Sequence, residues 1–127
     1  MRTSHLLDVY SVRVHLATTR KDWAKLRKKL GIEPLDVDCH GLTQHATWRA
    51  NDGTSAEQHV LVYLDVRGCD GDPRALVNVA AHEATHAATM LLRHYGHKIR
   101  GHDEPHAYLV GWLTEWLWTH ASPELAG

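Results

Sequence analysis

The chain has 127 residues, of which 43% are hydrophobic and 23% are charged, and its formal net charge is −1 at pH 7. This composition is typical of one compact domain with a modest core, and it gives no overall charge bias toward nucleic acid or a membrane. No stretch approaches the roughly 18 apolar residues of a membrane span, and Arg2, His5 and Asp8 interrupt the apolar run that a signal peptide needs. We therefore expect a single domain over residues 1–127 in the cytoplasm, with neither a membrane nor a nucleic acid as partner. Nothing in this pattern indicates an oligomeric state.

The N-terminal quarter contains one predicted strand and one predicted helix. Alternating apolar and polar residues predict a half-buried strand, whose apolar members are Tyr10, Val12, Val14 and Leu16. Thr19 and Asp22 resemble a capping box that opens a helix through about Leu30, and Gly31 ends it. The inward residues of this helix are Trp23, Leu26 and Leu30. Its basic residues are Lys21, Lys25, Arg27, Lys28 and Lys29. We interpret them as a solvated face because the net charge is near zero, and a contact with nucleic acid or an acidic partner is the open alternative.

Two more strands are predicted before the second helix. The first alternates apolar with polar residues, and its apolar members are Ala46, Trp48 and Ala50. The turn sequence Asn51-Asp52-Gly53 follows, and a third strand is predicted from Gln58 to Val66. The apolar residues on one face of this third strand are Val60, Val62, Leu64 and Val66.

The two cysteines, Cys39 and Cys69, are isolated in the sequence, which favours ordinary reduced thiols. A disulfide between them is an open alternative. Asp38-Cys39-His40 is a local cluster of metal-binding residue types, but it lacks the ligand spacing of structural zinc sites.

A long segment in the second half is predicted to be helical. The run from Ala75 to about His94 is rich in Ala and Leu and contains no Gly or Pro. It follows Asp72-Pro73, a helix start, and Gly96 provides the stop. This context matters because the chain has 12 His, so that a short histidine motif inside the segment can also arise by chance.

Within this helix, residues 82–86 have the sequence His-Glu-Ala-Thr-His, an H-E-x-x-H pentad. Residues four apart lie on one helix face, so His82 and His86 can direct their imidazoles at one metal ion, with Glu83 beside them. Two neutral imidazoles that hold Zn²⁺ and a carboxylate that takes a proton from the bound water form a hydrolytic zinc site. The alternative is a buried Ala-rich helix whose histidines happen to lie one turn apart.

A catalytic zinc site usually has three protein ligands, so a third ligand is expected downstream. Glu104 is the candidate, because the chain between His86 and Glu104 has room for a helix end, a turn and the start of a new helix. Pro105 suits the first helical position, which predicts Glu104 at the N-cap, where the helix dipole favours a charged carboxylate. The competing donors are Asp103, His102, His106 and His97. A solvated Glu104 at a helix N-terminus is the other alternative.

The second helix of this half is predicted from Pro105 to about His120. Its core-facing stripe is Leu109, Trp112, Leu113, Trp116 and Leu117. Gly111 lies outside this stripe, on the face that also carries Glu104, where it would allow close approach of the first helix. Tyr108, one turn on from Glu104, can place its hydroxyl near the metal and donate to the oxyanion of a tetrahedral intermediate, or it can be a packing residue.

The segments H-E-A-T-H-A-A (residues 82–88) and D-E-P-H-A-Y-L-V-G-W (residues 103–112) resemble small phage and prophage zinc peptidase-like proteins. More distantly they resemble the gluzincins, the thermolysin-like class in which a downstream Glu completes a helix-borne H-E-x-x-H. The resemblance covers the last third of the chain, and it implies zinc at His82, His86 and Glu104 with Glu83 as general base. It also implies a minimal fold in which a small twisted sheet packs over two metal-bearing helices. The chain departs from this class in lacking the large second lobe that builds the substrate cleft of thermolysin-like enzymes, so broad endopeptidase activity is not implied.

These patterns predict a small α+β domain with the order β-α-β-β-α-α, a minimal zincin-like fold. The expected activity is that of a zinc-dependent metallopeptidase acting on a peptide or protein, in the host cytosol if the protein is phage-encoded. If the segment His45–Ala50 is a sheet edge, the gluzincin resemblance implies that an extended peptide substrate adds there as a strand. Three alternatives remain open: a non-catalytic binding module stabilised by zinc, a metal-dependent hydrolase of a small amide or nucleic-acid-linked substrate, and a phage regulatory or assembly protein that keeps the fold without the activity.

Overall fold

The structure is a computed structural model that describes residues 1–32 and 40–126. The strands within these residues are β1 (Arg2–Leu7), β2 (Val12–Ala17), β3 (Gly41–Arg49) and β4 (Ala56–Leu64). The α-helices are α1 (Arg20–Lys29), α2 (Pro73–His94) and α3 (Glu104–Ala121). Short 3-10 turns lie at Asp8–Tyr10, Arg67–Cys69 and Ser122–Ala126. None of the helices in this part of the chain is long and apolar enough to cross a membrane.

The strands form a sheet in the order β1-β2-β4-β3. β1 pairs antiparallel with β2, and β3 pairs antiparallel with β4. β2 and β4 pair parallel, with Val14 opposite Val60. A parallel pair requires a long crossover connection, and α1 and β3 lie within it. Among the strands of the described residues, β1 and β3 are therefore the two edges of the sheet.

β4 is buried on both faces because helices cover both sides of the sheet. Val60, Val62 and Leu64 pack in the larger core cluster with residues of α2 and α3. Leu61 and Tyr63 point the other way, since side chains alternate along a strand, and they pack against α1. Each fully buried Val or Leu side chain stabilises the fold by about 1.5–3 kcal/mol. The sheet is thus the middle layer between α1 on one face and the α2–α3 pair on the other.

α1 has the start and the buried face that its sequence predicts. The Thr19 hydroxyl oxygen accepts a hydrogen bond from Asp22 N at 3.1 Å, so Thr19 is the N-cap. Trp23 and Leu26 are each 2% exposed and pack on the sheet. Gly31 follows the helix with φ +71°, a conformation that glycine adopts without strain.

The predicted α+β class is confirmed, but the predicted element order omits β1. The sequence does not predict this strand because apolar and polar residues do not alternate along Arg2–Leu7, an edge strand with mostly exposed side chains. The limits of the other strands also differ from the prediction. Tyr10 belongs to the 3-10 turn before β2, Ala50 lies beyond β3, and Val66 lies beyond β4 although it joins the same core.

Two predictions about single residues of the helices are wrong. Arg27 is 2% exposed and is not part of the solvated face of α1. Gly111 is exposed, and a Cβ added there would meet no atom within 4 Å, so it does not permit the approach of α2. The close packing of α2 relies instead on its own small residues, since Ala80, Ala84 and Ala88 are 0% exposed. The predicted core stripe of α3 is confirmed, with buried Leu109, Leu113, Trp116 and Leu117 and partly buried Trp112.

Candidate metal centre

α2 carries the H-E-x-x-H pentad near its middle. The helix begins after Asp72, whose carboxylate accepts a hydrogen bond from Arg74 N at 2.9 Å. Its buried residues include Leu76, Ala80, Ala84, Ala87 and Leu91. This apolar face fixes the rotation of the helix about its axis, because it must face the core. As a result His82 and His86 lie on the exposed side, and Glu83 lies at the border that faces β3.

The structure brings the two motif histidines together. The Nε2 atoms of His82 and His86 are 3.1 Å apart, and the ring planes are inclined by 77°. Two nitrogens bound to one zinc ion at about 2.0–2.1 Å in tetrahedral geometry lie about 3.3 Å apart. Both nitrogens cannot carry hydrogens at the observed distance, so either one ring donates to the other or both lone pairs bind one cation. The pair therefore fits a shared metal ion that is open to solvent.

Glu83 is held at the side of this pair by a residue of the edge strand. Its side chain is buried, with the whole residue 4% exposed. The Thr43 hydroxyl donates to Glu83 Oε1 at 2.8 Å. The second carboxylate oxygen, Oε2, lies 3.9 Å from His82 Nε2. One oxygen is thus anchored to β3, and the other is directed toward the histidines.

Gly41, the first residue of β3, makes room for this carboxylate. A Cβ atom added at Gly41 would lie 2.9 Å from both Cγ and Oε2 of Glu83, and also 2.9 Å from Val79 Cγ1. Any side chain at this position would therefore have to displace the carboxylate or the helix. Gly41 and Thr43 both precede the strand whose predicted apolar members begin at Ala46, so the sequence does not predict this contact. A glycine within a strand indicates close approach of another group, but Gly41 belongs to a strand only through the pairing of β3 with β4.

The start of α3 differs by one residue from the prediction. Asp103, not Glu104, is the N-cap, and its Oδ1 accepts a hydrogen bond from His106 N at 2.9 Å. The shorter Asp side chain can reach back to its own helix, so Asp is the stronger cap. Asp103 Oδ2 also contacts His97 Nε2 at 2.6 Å. The hydrogen bond from His106 N, with the His97 contact in addition, holds the pKa of Asp103 below its ordinary value. Both oxygens of this competing ligand are therefore engaged.

Glu104 is the first residue of α3, and its side chain is exposed. The first turn of α3 lies against α2, since His106 Nε2 is 3.1 Å from the Thr89 hydroxyl. Thr89 is one turn beyond His86 on α2, which places this contact next to the histidine pair. However, within residues 1–32 and 40–126 no three His, Cys, Asp or Glu side chains converge as a metal-binding group. The structure assembles the histidine pair and the carboxylate beside it, but not the third ligand.

Tyr108 borders a groove beside the end of β1. It is 77% exposed, and it lines a groove with residues 5–10 at the end of β1. Trp112, one turn on, shares this groove, with its ring centroid 5.1 Å from that of His5. The structure thus shows Tyr108 beside the end of β1, and among the described residues no hydrogen bond or ring contact joins it to His82 or His86.

The cysteines and the cluster Asp38-Cys39-His40 are the other candidate metal-binding groups of the sequence. Cys69 is a buried free thiol, and burial raises its pKa. In the cluster Asp38-Cys39-His40, the first two residues lie outside the described residues. No protein-family model, curated protein or solved structure matches this chain.

Proposed function

We propose that this protein is a zinc-dependent, metallopeptidase-like hydrolase with His82 and His86 as metal ligands and Glu83 as general base. One observation carries the proposal: an exposed imidazole pair, with Nε2 atoms 3.1 Å apart, lies beside a buried carboxylate whose Oε2 is 3.9 Å from His82 Nε2. Zn²⁺ held by this pair would supply an activated water and polarise a carbonyl.

The protein residues then have distinct roles. Glu83 accepts the proton of the attacking water at Oε2 and delivers it to the leaving amine nitrogen. Thr43 donates to Oε1, so that the free oxygen keeps its direction toward the histidines. Burial of Glu83 limits competing water contacts, which keeps the carboxylate available for this one transfer.

Glu104 is the third ligand that we propose. Its exposed side chain has no competing hydrogen bond among the described residues. Asp103 is less suited, because its oxygens already contact His106 N and His97. The contact between His106 and Thr89 keeps the first turn of α3 close to the helix that bears the histidines.

The proposed fold is a minimal zincin-like domain, and the proposed substrate is an extended peptide. Among the described strands β3 pairs with β4 alone, so the outer side of residues 42–49 can offer backbone groups for an added strand. The same strand carries Thr43, which anchors the general base. The choice of a peptide substrate rests on the gluzincin resemblance.

A second candidate function is a non-catalytic zinc-stabilised protein, such as a phage regulatory or assembly factor. The bond between Thr43 and Glu83 favours this alternative in one respect, because it joins β3 to α2 across 40 residues of chain. A buried carboxylate in that position stabilises the packing of the helix on the sheet whether or not it transfers protons.

The first experiment measures metal content. Protein prepared without a chelator or metal-affinity tag is expected to hold about one zinc per chain, and zinc removal is expected to lower its melting temperature. His82→Ala and His86→Ala are expected to weaken zinc binding. Absence of zinc after reconstitution would contradict the hydrolase proposal.

The second experiment separates the enzyme from the stabilised scaffold. Glu83→Gln keeps the shape of the side chain, so it is expected to retain zinc and fold but to lose cleavage of a library-selected peptide by roughly 10²-fold or more. Thr85→Ala is the matched control, because the hydrogen bond of the Thr85 hydroxyl among residues 1–32 and 40–126 is to Ala81 O in its own helix. Equal rates for wild type and Glu83→Gln at equal zinc occupancy would refute the mechanism, and no cleavage by either would favour the scaffold.

A further inference from the structure

The segments that follow the two parallel strands lead to opposite faces of the sheet. β2 and β4 lie side by side and run parallel. After β2 the chain enters α1 on one face of the sheet, and after β4 it reaches α2 on the other face. Adjacent parallel strands followed by helices on opposite faces form a topological switch point, and open α/β sheets bind ligands in the crevice outside the carboxyl ends of such strands. Residues 18–20 and 65–71 form this end of the sheet.

Two adjoining cavities occupy the crevice. Their volumes are about 610 Å³ and 430 Å³. Both lie within the range of about 300–1,000 Å³ that is typical of small-molecule sites. Thr18, Thr19 and Arg67 line both cavities, so the two are parts of one crevice. Arg20 lines the smaller cavity, and Asp70 lines the larger one.

Two guanidinium groups border this crevice without an ion pair of their own. Arg20 and Arg67 are exposed, and neither is among the ion pairs formed by the described residues. One side chain comes from the start of α1 and the other from the 3-10 turn after β4, and both line the smaller cavity. A guanidinium offers several donors in a fixed plane, which suits the oxygens of a phosphate or carboxylate.

Most of the neighbouring carboxylates are already engaged. Asp65 Oδ1 accepts a hydrogen bond from Gly68 N at 3.0 Å. Glu124 Oε1 lies 3.5 Å from the ammonium group of Met1. Asp70 is exposed and adds one negative charge to the wall of the larger cavity. The smaller cavity is lined by Arg20 and Arg67 and by one carboxylate, that of Asp65. The larger cavity has one arginine and two carboxylates, so the excess of positive charge lies in the smaller cavity.

The two threonines at this end of β2 are already engaged. The Thr19 oxygen accepts a hydrogen bond from Asp22 N at 3.1 Å, and its hydroxyl also bonds to the Asp22 carboxylate. The Thr18 hydroxyl lies 2.8 Å from the ammonium nitrogen of Met1. The guanidinium groups of Arg20 and Arg67 are therefore the donors that remain for a ligand in the smaller cavity.

We propose that this crevice binds a small ligand through an oxyanion group, a phosphate or a carboxylate, held between the guanidinium groups of Arg20 and Arg67. The site is separate from the histidine pair on α2 and does not depend on the proposed zinc chemistry. The cavity volumes are those of small-molecule sites, and phosphates and carboxylates share the chemistry that the arginines recognise.

The test is an NMR titration of the full chain with inorganic phosphate and, separately, with succinate at constant ionic strength. Saturable shifts are expected for backbone amides of residues 18–20 and 65–71, and the anion with the tighter binding identifies the class. Arg20→Gln with Arg67→Gln is expected to weaken that binding by roughly tenfold or more. Lys98→Gln, an exposed cation elsewhere, is the control and is expected to bind as the wild type does.

Three outcomes would overturn the proposal: no saturable shift in these two segments with either anion, equal binding by the double variant, or equal weakening by Lys98→Gln. Arg67→Gln alone is the second variant if the double variant does not fold, and it is expected to weaken binding in the same direction. The titration uses protein without added metal, so a failure of the zinc proposal leaves its result unchanged.

Discussion

Acid should destabilise this protein through a buried histidine of the sheet, His15. It is 8% exposed, and its Nε2 lies 2.8 Å from Nδ1 of His59. Burial, with further contributions from His59, Arg13, Lys29 and Arg2, lowers the pKa of His15 from 6.5 to about 4. Burial also lowers the pKa of His59, while Glu57 acts in the opposite direction.

The sign of the effect follows from proton uptake. Between pH 6.5 and about 4 the unfolded chain binds a proton at His15 that the folded protein does not bind. Stability therefore falls as the pH drops through this window and is fully present above it. The pKa difference corresponds to a loss of about 3 kcal/mol from His15 alone, a large part of the stability of a small domain.

Urea unfolding followed by tryptophan fluorescence at pH 7.5 and pH 4.5, with a chelator present, measures this loss. His15→Gln can keep a hydrogen bond to His59 without titrating, so its unfolding free energy is expected to change less between the two pH values, by about 2–3 kcal/mol. His102→Gln, which removes an exposed histidine, serves as the control and should keep the wild-type pH dependence. If His15→Gln and the wild type lose the same free energy on acidification, the reasoning is refuted.

Gly41→Ala should cost about 1–3 kcal/mol of unfolding free energy and reduce hydrolysis, because the new Cβ overlaps the buried carboxylate of α2 at 2.9 Å. The matched change Gly111→Ala should instead stabilise the fold by about 0.5–1 kcal/mol, since a helix interior favours Ala and the new Cβ displaces nothing. Equal effects of the two variants in chemical denaturation would contradict the close contact between Gly41 and the Glu83 carboxylate. Thr43→Val should lower the unfolding free energy by about 1–3 kcal/mol and slow peptide cleavage, whereas Thr43→Ser should keep the wild-type stability and cleavage rate. A Val variant with unchanged kcat would exclude a positioning role for the Thr43 hydroxyl. Glu104→Ala should weaken zinc binding. Asp103→Ala should keep zinc but lower the unfolding free energy by about 1 kcal/mol, because it removes the N-cap hydrogen bond of α3. The opposite pattern in metal titrations would reverse the ligand assignment.

Local sequence patterns predict the parts of this structure that depend on nearby residues. The cap at Thr19, the helix that carries the pentad and the meeting of His82 with His86 all follow from spacings of three or four residues. The faces of β4 also follow, because alternation along a strand is a local property.

The contact of the Glu83 carboxylate with β3 could not be predicted in the same way. Thr43 lies 40 residues earlier in the chain, and it meets the carboxylate only because β3 pairs with β4 in one register. A register shift of one residue would turn Thr43 to the opposite face of the sheet. β1 is also missed, since an exposed edge strand needs little hydrophobic patterning and is defined by its pairing with β2.

The histidine pair and the Glu83 carboxylate depend on different parts of the fold, so they respond differently when the protein partly unfolds. His82 and His86 meet within one helical turn, so this pair persists wherever that part of α2 is helical. The carboxylate beside them keeps its direction only while β3 remains docked, and among the described strands β3 is an edge strand that pairs with β4 alone. Edge elements open at lower free energy than core helices do. A protein in which β3 has detached can therefore still carry a metal ion on α2 while its general base is no longer positioned, so that metal occupancy and turnover need not disappear together as the molecule opens.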